Sequence, residues 1–482
     1  MNVIIICSDT FRQDHLGFLN RQPVHTPHLD KLAAESACFT DFWLCSFPTL
    51  VNRIEVFTGR YTFPFFNWGA LPYQYPVLSE VFKRHGFTTA FIADNMHMLR
   101  PDWRYTRGFD HVTAVHGQMH DEFQSKNGPM VDVPCPVEKI GVPKHRLGRY
   151  RRNAHWYREH NTSTTATVFQ SAIDWFDKPR DKFFMWIDAF DPHEPWDAPD
   201  EFLKPYPWNK AGDRVFWPKA GYSKEYPEAD IENMRSLYRA EVSQVDSWVG
   251  KLLAQLRTKN QLDNTAIIFT SDHGTYFGEH GLLGKPVKIG TLTAIYEQLG
   301  HLPMLLRHPE GLSAGKQITG IGQPPDLYLT ALELAGIPRV PWAQGNSLVP
   351  RLHGEPSPQK FAVGGYFPHK GRVSCASVWT NEWALMHSPI DGLARAELYH
   401  TPTDPTHERN VAADNRETVE NVFNLLSGWL DSIGVSPARK RQLLENAPFT
   451  KLDKLKYQLW LWKQRRAYRK NYRHYASASK AS

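Results

Sequence analysis

The chain has 482 residues, 41% hydrophobic and 13% aromatic, which excludes global disorder and fits one large α/β domain with a smaller one, or two to three average domains. The formal net charge of +6 is modest and uneven: Lys451 to Tyr475 holds nine Lys or Arg against one acid, Asp453, so the body is near neutral. Five cysteines (Cys7, Cys38, Cys45, Cys135, Cys375) are odd in number and widely spaced, which excludes a disulfide framework and a paired-cysteine metal site. No apolar run nears the roughly 20 residues that span a bilayer as a helix. With sparse cysteines and a strand opening at residue 2, the expectation is a soluble cytoplasmic protein without a signal peptide.

In chain order, the first element is the strand Val3-Ile4-Ile5-Ile6-Cys7-Ser8-Asp9. A helix is expected near Pro27 to Ser36, then a turn and helix over Pro48 to Gly59, with Ile54, Val56 and Phe57 facing inward. Val77 to His85 is a further helix, leading to the strand Ala90-Phe91-Ile92-Ala93-Asp94. Residues 100–160 are rich in Pro, Gly, Arg and His and read as a long functional loop region. A helix near Ala166 to Phe176 precedes the strand Phe183-Phe184-Met185-Trp186-Ile187-Asp188. Residues 194–228 are aromatic, proline-punctuated and irregular. Ala229 to Arg257 carries the apolar stripe Leu237, Val242, Val245, Val249, Leu252 and Leu256 and reads as one long helix. It feeds the strand Ala266-Ile267-Ile268-Phe269-Thr270-Ser271-Asp272-His273. From about Gly364 the pattern changes to short strands and a helix at 416–433.

Short β-branched and aromatic runs between helices fit strands buried on both faces of a mostly parallel, doubly wound sheet. Ligands of such sheets sit beyond the carboxyl ends of the strands. Asp9, Asp272 and His273 should therefore meet at one edge. Carboxylates crowd there only with a cation between them, and a divalent metal is the simplest one. Oxygen ligands with one imidazole suit Ca, Mg, Mn or Zn alike.

One segment joins this edge to a known pattern. Thr49-Leu50-Val51-Asn52-Arg53, followed by Thr58-Gly59-Arg60, resembles the signature of the sulfatase family, in which Cys or Ser stands four residues before an Arg and Thr-Gly-Arg follows. Four more segments are similar to that family. They are Asp272-His273-Gly274, Gly281-Leu282-Leu283-Gly284-Lys285, Asp191-Pro192-His193-Glu194-Pro195, and Leu398-Tyr399 with Asp404-Pro405 and Asn410. Asp9 stands where the family begins a metal-binding Asp pair. The resemblance covers about residues 1–435 and implies an alkaline-phosphatase-like α/β/α sandwich, a divalent metal and in-line attack on a tetrahedral sulfate or phosphate centre. It implies Thr49 as nucleophile and metal ligand, with Asp9, Asp272 and His273 as the other ligands. Arg53, Lys285 and His193 would bind the substrate.

The sequence departs from the family at four places. Thr49 replaces the Cys or Ser that becomes formylglycine, and Thr cannot form the same aldehyde. Val51 stands for Pro, Thr10 for the second Asp, and Ala93-Asp94-Asn95-Met96-His97 for the Gly-Lys-Trp-His segment. A free hydroxyl needs a metal or base to become a nucleophile. Arg53 and Lys285 would neutralise the non-bridging oxygens, and His193 or His97 would protonate the leaving oxygen. Cys45 and Ser46 are alternative nucleophiles that fit the spacing less well. Arg60, His280 and His301 read as structural, with His301 a reserve ligand for a second metal. His369 and Lys370 are candidates for the cleft wall.

The expected organisation is an α/β catalytic domain (1–363), a smaller C-terminal α+β subdomain (364–435) and a basic, aromatic helical tail (436–482). The tail reads as a helix packing Leu459, Trp460 and Trp462 on the body or on another subunit, in preference to a nucleic-acid or anionic-surface binder; homo-oligomerisation stays open. The function expected is metal-dependent hydrolysis of a small or sugar-linked anionic ester, a phosphodiester or phosphonate monoester before a sulfate ester. A non-catalytic polyanion-binding relative is the rival from another class.

Overall fold

A computed structural model describes residues 1–466 apart from 67, 179, 287–294, 367–374, 448, 449, 457, 460, 461, 464 and 465. His369 and Lys370 thus lie outside the described residues. Successive side chains of a strand point to opposite faces, so an unbroken apolar strand needs a core on each side. The strand Asn2–Ser8 shows this directly: Val3, Ile5 and Cys7 join one apolar layer, Ile4 and Ile6 the other. It sits near the middle of an eight-stranded sheet. The order is Gln317–Gly322, Ala37–Phe42, Met304–Arg307, Thr265–Thr270, Asn2–Ser8, Phe183–Ala189, Thr88–Ala93 and His111–Ala114. Met304–Arg307 runs antiparallel to both its neighbours, and every other pairing is parallel.

Helices Thr49–Thr58, Leu78–Arg84 and Pro325–Leu334 cover one face of the sheet. Pro27–Ala34, Lys144–Glu159, Thr164–Trp175 and Glu228–Thr258 cover the other. The result is the expected α/β/α sandwich. The long helix extends one residue beyond the expected bounds at each end.

Two features differ from the sequence reading. Residues 100–160 are not loop throughout: Lys144–Glu159 is a helix that buries Leu147, Tyr150, Ala154 and Tyr157. That spacing of three and four is a proper helical stripe, but it is diluted by six Lys or Arg in the same 16 residues. The strands Ala37–Phe42, His111–Ala114, Met304–Arg307 and Gln317–Gly322 also have no counterpart in the reading, because none is a long apolar run.

A second, four-stranded antiparallel sheet follows: Phe361–Gly365, Ala376–Thr380, Trp383–His387 and Glu397–His400. Its first strand begins ahead of Gly364. Helix Arg416–Ser432 closes it with Val419, Val422, Leu426 and Leu430, and Tyr61, Phe63 and Phe65 from the main body complete that core. In the tail, Leu459 and Trp462 are 52% and 53% exposed, so they do not pack on the body; Trp460 lies outside the described residues. Among the described residues no helix is long and apolar enough to cross a membrane.

Candidate active site

The sheet brings the predicted acids together. Cys7 pairs with Thr270 at the ends of adjacent parallel strands, so Asp9 and Asp272 emerge side by side. Thr10 takes the left-handed conformation (φ 65°) and its backbone N–H donates to Asp272 Oδ1 at 2.9 Å, tying the two strand ends. Thr49 opens the helix Thr49–Thr58 directly after Pro48. Arg53 follows one turn on, on the same face. Asp9, Arg53 and Asp272 are fully buried and His273 is 1% exposed, whereas Thr49 is 5% exposed. Of these five, Thr49 is the most open to an incoming ligand.

Ligand atoms of Asp9, Asp272 and His273 all lie within 4.8 Å of one another. Burial and the Asp272 charge raise the Asp9 pKa well above the usual carboxylate range, against Arg53 and Lys285. Asp272 goes the other way: burial works to raise it, but Arg53 and His273 prevail and lower it. Burial also brings His273 down to about 4, against the pull of Asp272, so its ring is neutral. His273 Nδ1 lies 2.9 Å from the Gly274 carbonyl; that bond takes the ring proton and leaves the Nε2 lone pair facing the carboxylates, as a metal ligand requires. Asp272 Oδ2 is buried between Arg53 Nη1 at 2.5 Å and His273 Nε2 at 3.3 Å. A neutral imidazole and two crowded carboxylates fit a divalent cation. Thr49 Oγ1 stands 3.3 Å from His273 Nε2, on the rim of this group.

Arg53 is held from three sides. Its Nε and Nη2 each donate to Asp188 at 3.0 Å, Nη2 lies 3.4 Å from Asp9, and Nη1 lies 2.5 Å from Asp272 Oδ2. Asp188 also accepts from Trp186 Nε1 at 3.0 Å. Lys285 Nζ is 2.5 Å from Glu194 Oε2 and donates to Thr10 Oγ1 at 3.3 Å, and the Thr10 hydroxyl donates to Asp9 at 2.7 Å. His193 Nδ1 lies 2.5 Å from the Glu194 carbonyl. Burial, only partly opposed by Glu194, lowers the His193 pKa to about 3. The ring is therefore neutral with Nε2 unprotonated, which suits a hydrogen-bond acceptor better than the proton donor expected.

Asp188 and Glu194 are the two charged residues to which the sequence reading gave no role. Both stood in quoted segments, one as a strand-end acid and one between His193 and Pro195; their partners come from distant segments. His97 is not drawn into the group. Its described ring contacts are to Trp68 at 5.1 Å and Trp103 at 6.3 Å. Ser46 bonds the buried Glu55 through both its hydroxyl and its N–H, and Cys45 lies in the second core; both alternatives face away from the metal group. Asp94 and Asp191 are buried acceptors for Phe190, Gln118, Thr165 and Gln244. His301 is fixed by Glu297, the Thr40 carbonyl and Trp43, which leaves it no free nitrogen for a second metal. A cavity of about 1000 Å³ opens beside Thr164–Trp175 and includes none of Asp9, Thr49, Arg53, Asp272 or His273.

Divalent metal should stabilise the fold. At a hundredfold excess over Kd it contributes about 2.7 kcal/mol, so Tm is expected to rise on loading with at least one of Ca, Mg, Mn and Zn, and the rise should be lost in Asp272→Ala. A Tm indifferent to all four ions would contradict the assignment.

Comparison with known proteins places this arrangement. The sulfatase family profile matches residues 1–337, and the C-terminal profile of N-sulphoglucosamine sulphohydrolase matches residues 278–432. Arylsulfatase K of Bos taurus is 22% identical over 478 residues, covering 90% of this chain and 82% of its own. The crystal structure of a phosphonate monoester hydrolase from Agrobacterium radiobacter shares the fold at TM-score 0.67 and 19% identity, over 94% of this chain and 98% of that one. So does a protein solved with its substrate D-glucosamine-2-N,6-O-disulfate, at TM-score 0.67 and 19% identity, over 90% and 98%. With the sulfatase profile spanning residues 1–337 of 482, the chain belongs to the sulfatase family and is a sulfatase-like ester hydrolase.

Proposed function

We propose that the protein hydrolyses a phosphodiester or phosphonate monoester with the unmodified hydroxyl of Thr49 as nucleophile. The observation that carries this is the placement of Thr49: a hydroxyl at the first turn of a helix, 3.3 Å from His273 Nε2 at the edge of the buried Asp9–Asp272–His273 group. The helix N-terminus adds a positive field that favours an anionic substrate. Held by Asp9, Asp272 and His273, a divalent metal would supply Lewis-acid polarisation and favour the ionised hydroxyl.

The chain's own residues do the rest. Lys285 and Arg53 supply positive charge to the non-bridging oxygens, where charge gathers in the transition state. Glu194 holds Lys285 in place and, through its carbonyl, fixes the His193 ring. His193 Nε2 is then free to accept a hydrogen bond from attacking water. Asp188 takes two of the guanidinium's donors and so fixes the orientation of Arg53 against Asp9 and Asp272.

A sulfate ester is the second reading, favoured by the likeness to arylsulfatase K. Hydrolysis of nitrophenyl sulfate, a nitrophenyl phosphodiester and a nitrophenyl phosphonate by metal-loaded protein separates the two. Phosphodiester or phosphonate turnover should dominate and fall at least about 10²-fold in Thr49→Ala. Dominant sulfate turnover would favour the second reading, and turnover unchanged in the variant would overturn the nucleophile. Asp188→Asn keeps the shape of the clamp but removes its charge. It is expected to lower kcat about 10²-fold with KM and metal-dependent Tm little changed; a loss of Tm alone would reduce Asp188 to a structural role.

A further inference from the structure

The helix Lys144–Glu159 breaks an electrostatic rule. Cations at a helix N-terminus oppose the macrodipole, each at a cost of about 0.3–1 kcal/mol. Yet its first three residues are Lys144, His145 and Arg146, all exposed, with no acid in the first turn and no side-chain cap. Over the whole helix six Lys or Arg face one acid, Glu159. A local cost of this kind without an evident structural return marks a site used for something else.

A groove of about 830 Å³ runs between this helix and the 126–137 segment. Lys126, Lys144, His145, Arg149, Arg151 and Arg152 line it, and no Asp or Glu does. Arg149 and Arg151 pair with Glu122 and Asp132. Lys126 and Lys144 have no ion-pair or hydrogen-bond partner for their ammonium groups among the described residues. The floor is aliphatic, from Met130, Val133, Val137 and Leu147, and Met130 and Val137 are 44% and 47% exposed. Burial, with the charges of Arg100 and Arg146, lowers the His97 pKa to about 4.

We propose that this groove is an anion-binding exosite for a polyanionic carbohydrate chain, sulfated or phosphorylated along its length, that anchors the substrate outside the reacting centre. The proposal rests on the anionic-ester reading of the active site for its link to catalysis, but the groove binds whether or not Thr49 is the nucleophile. Chemistry selects the occupant. Spaced cations match spaced sulfates or phosphates, and aliphatic side chains suit the C–H faces of sugar rings. The groove lining offers no aromatic platform for stacking bases, which single-stranded nucleic acid requires. It is concave, whereas a membrane surface calls for protruding apolar groups.

The test is binding of dextran sulfate to the metal-loaded full chain carrying Thr49→Ala, which removes turnover from the measurement. Lys126→Glu/Lys144→Glu is compared with the tail variant Lys454→Glu/Lys456→Glu, each with its Tm recorded. The groove variant should bind about tenfold or more weakly, with a shallower salt dependence, while the tail variant matches the parent and uncharged dextran does not bind. Equal affinity in the groove variant, or a loss confined to the tail variant, would overturn the proposal. So would groove-dependent binding of anionic vesicles or oligo-dT that exceeds binding of dextran sulfate. Loss of turnover in Thr49→Ala is read separately, so failure of the exosite and failure of the nucleophile are distinct results.

Discussion

Like charge at the end of a sheet is the constraint on which the rest depends. Asp9, Asp188 and Asp272 are all fully buried around one guanidinium, that of Arg53. Buried charge is tolerated only when paired and hydrogen-bonded. One arginine against three carboxylates leaves a negative excess. A divalent cation held by Asp9, Asp272 and neutral His273 would restore the balance. The same balance prepares the site for chemistry, since the substrate brings negative charge of its own.

The scaffold turns this constraint into geometry. Parallel register sets Asp9 beside Asp272, and the Thr10 N–H locks the two turns together. The helix Thr49–Thr58 is buried along its entire length against the sheet, so Thr49 and Arg53 keep a fixed relation to those turns. Glu55 adds a brace by bonding back to Ser46 and Thr62. Arg53 in turn is gripped by Asp188, from the strand on the other side of Asn2–Ser8. Thr49, Arg53 and the Asp9–Asp272–His273 group thus sit on three elements that cannot shift independently.

How much of this was legible in the sequence depends on the range over which each signal acts. Buried strands declared themselves through continuous apolar runs, and Asp9, Asp272 and His273 through their places after those runs. Thr49 and Arg53 were picked out by the resemblance of their segment to the sulfatase signature. Roles set by tertiary partners were not legible: Asp188 is an ordinary strand-end acid until Arg53 arrives from 135 positions away. Glu194 likewise gains its meaning from Lys285, which lies 91 residues on. His97 was placed near the chemistry by its position after a strand, yet its ring settles against Trp68 and Trp103. The basic helix Lys144–Glu159 escaped because charge masked a short apolar stripe.

The most direct measurement is intact-peptide mass spectrometry of metal-loaded protein, acid-quenched during turnover of the phosphonate or phosphodiester substrate. The account predicts an unmodified Thr49 in the resting protein and, in the quenched sample, a phosphonyl or phosphoryl adduct on the Thr49 hydroxyl. An adduct on another residue, or turnover with no adduct and solvent oxygen entering the product in a single step, would contradict it.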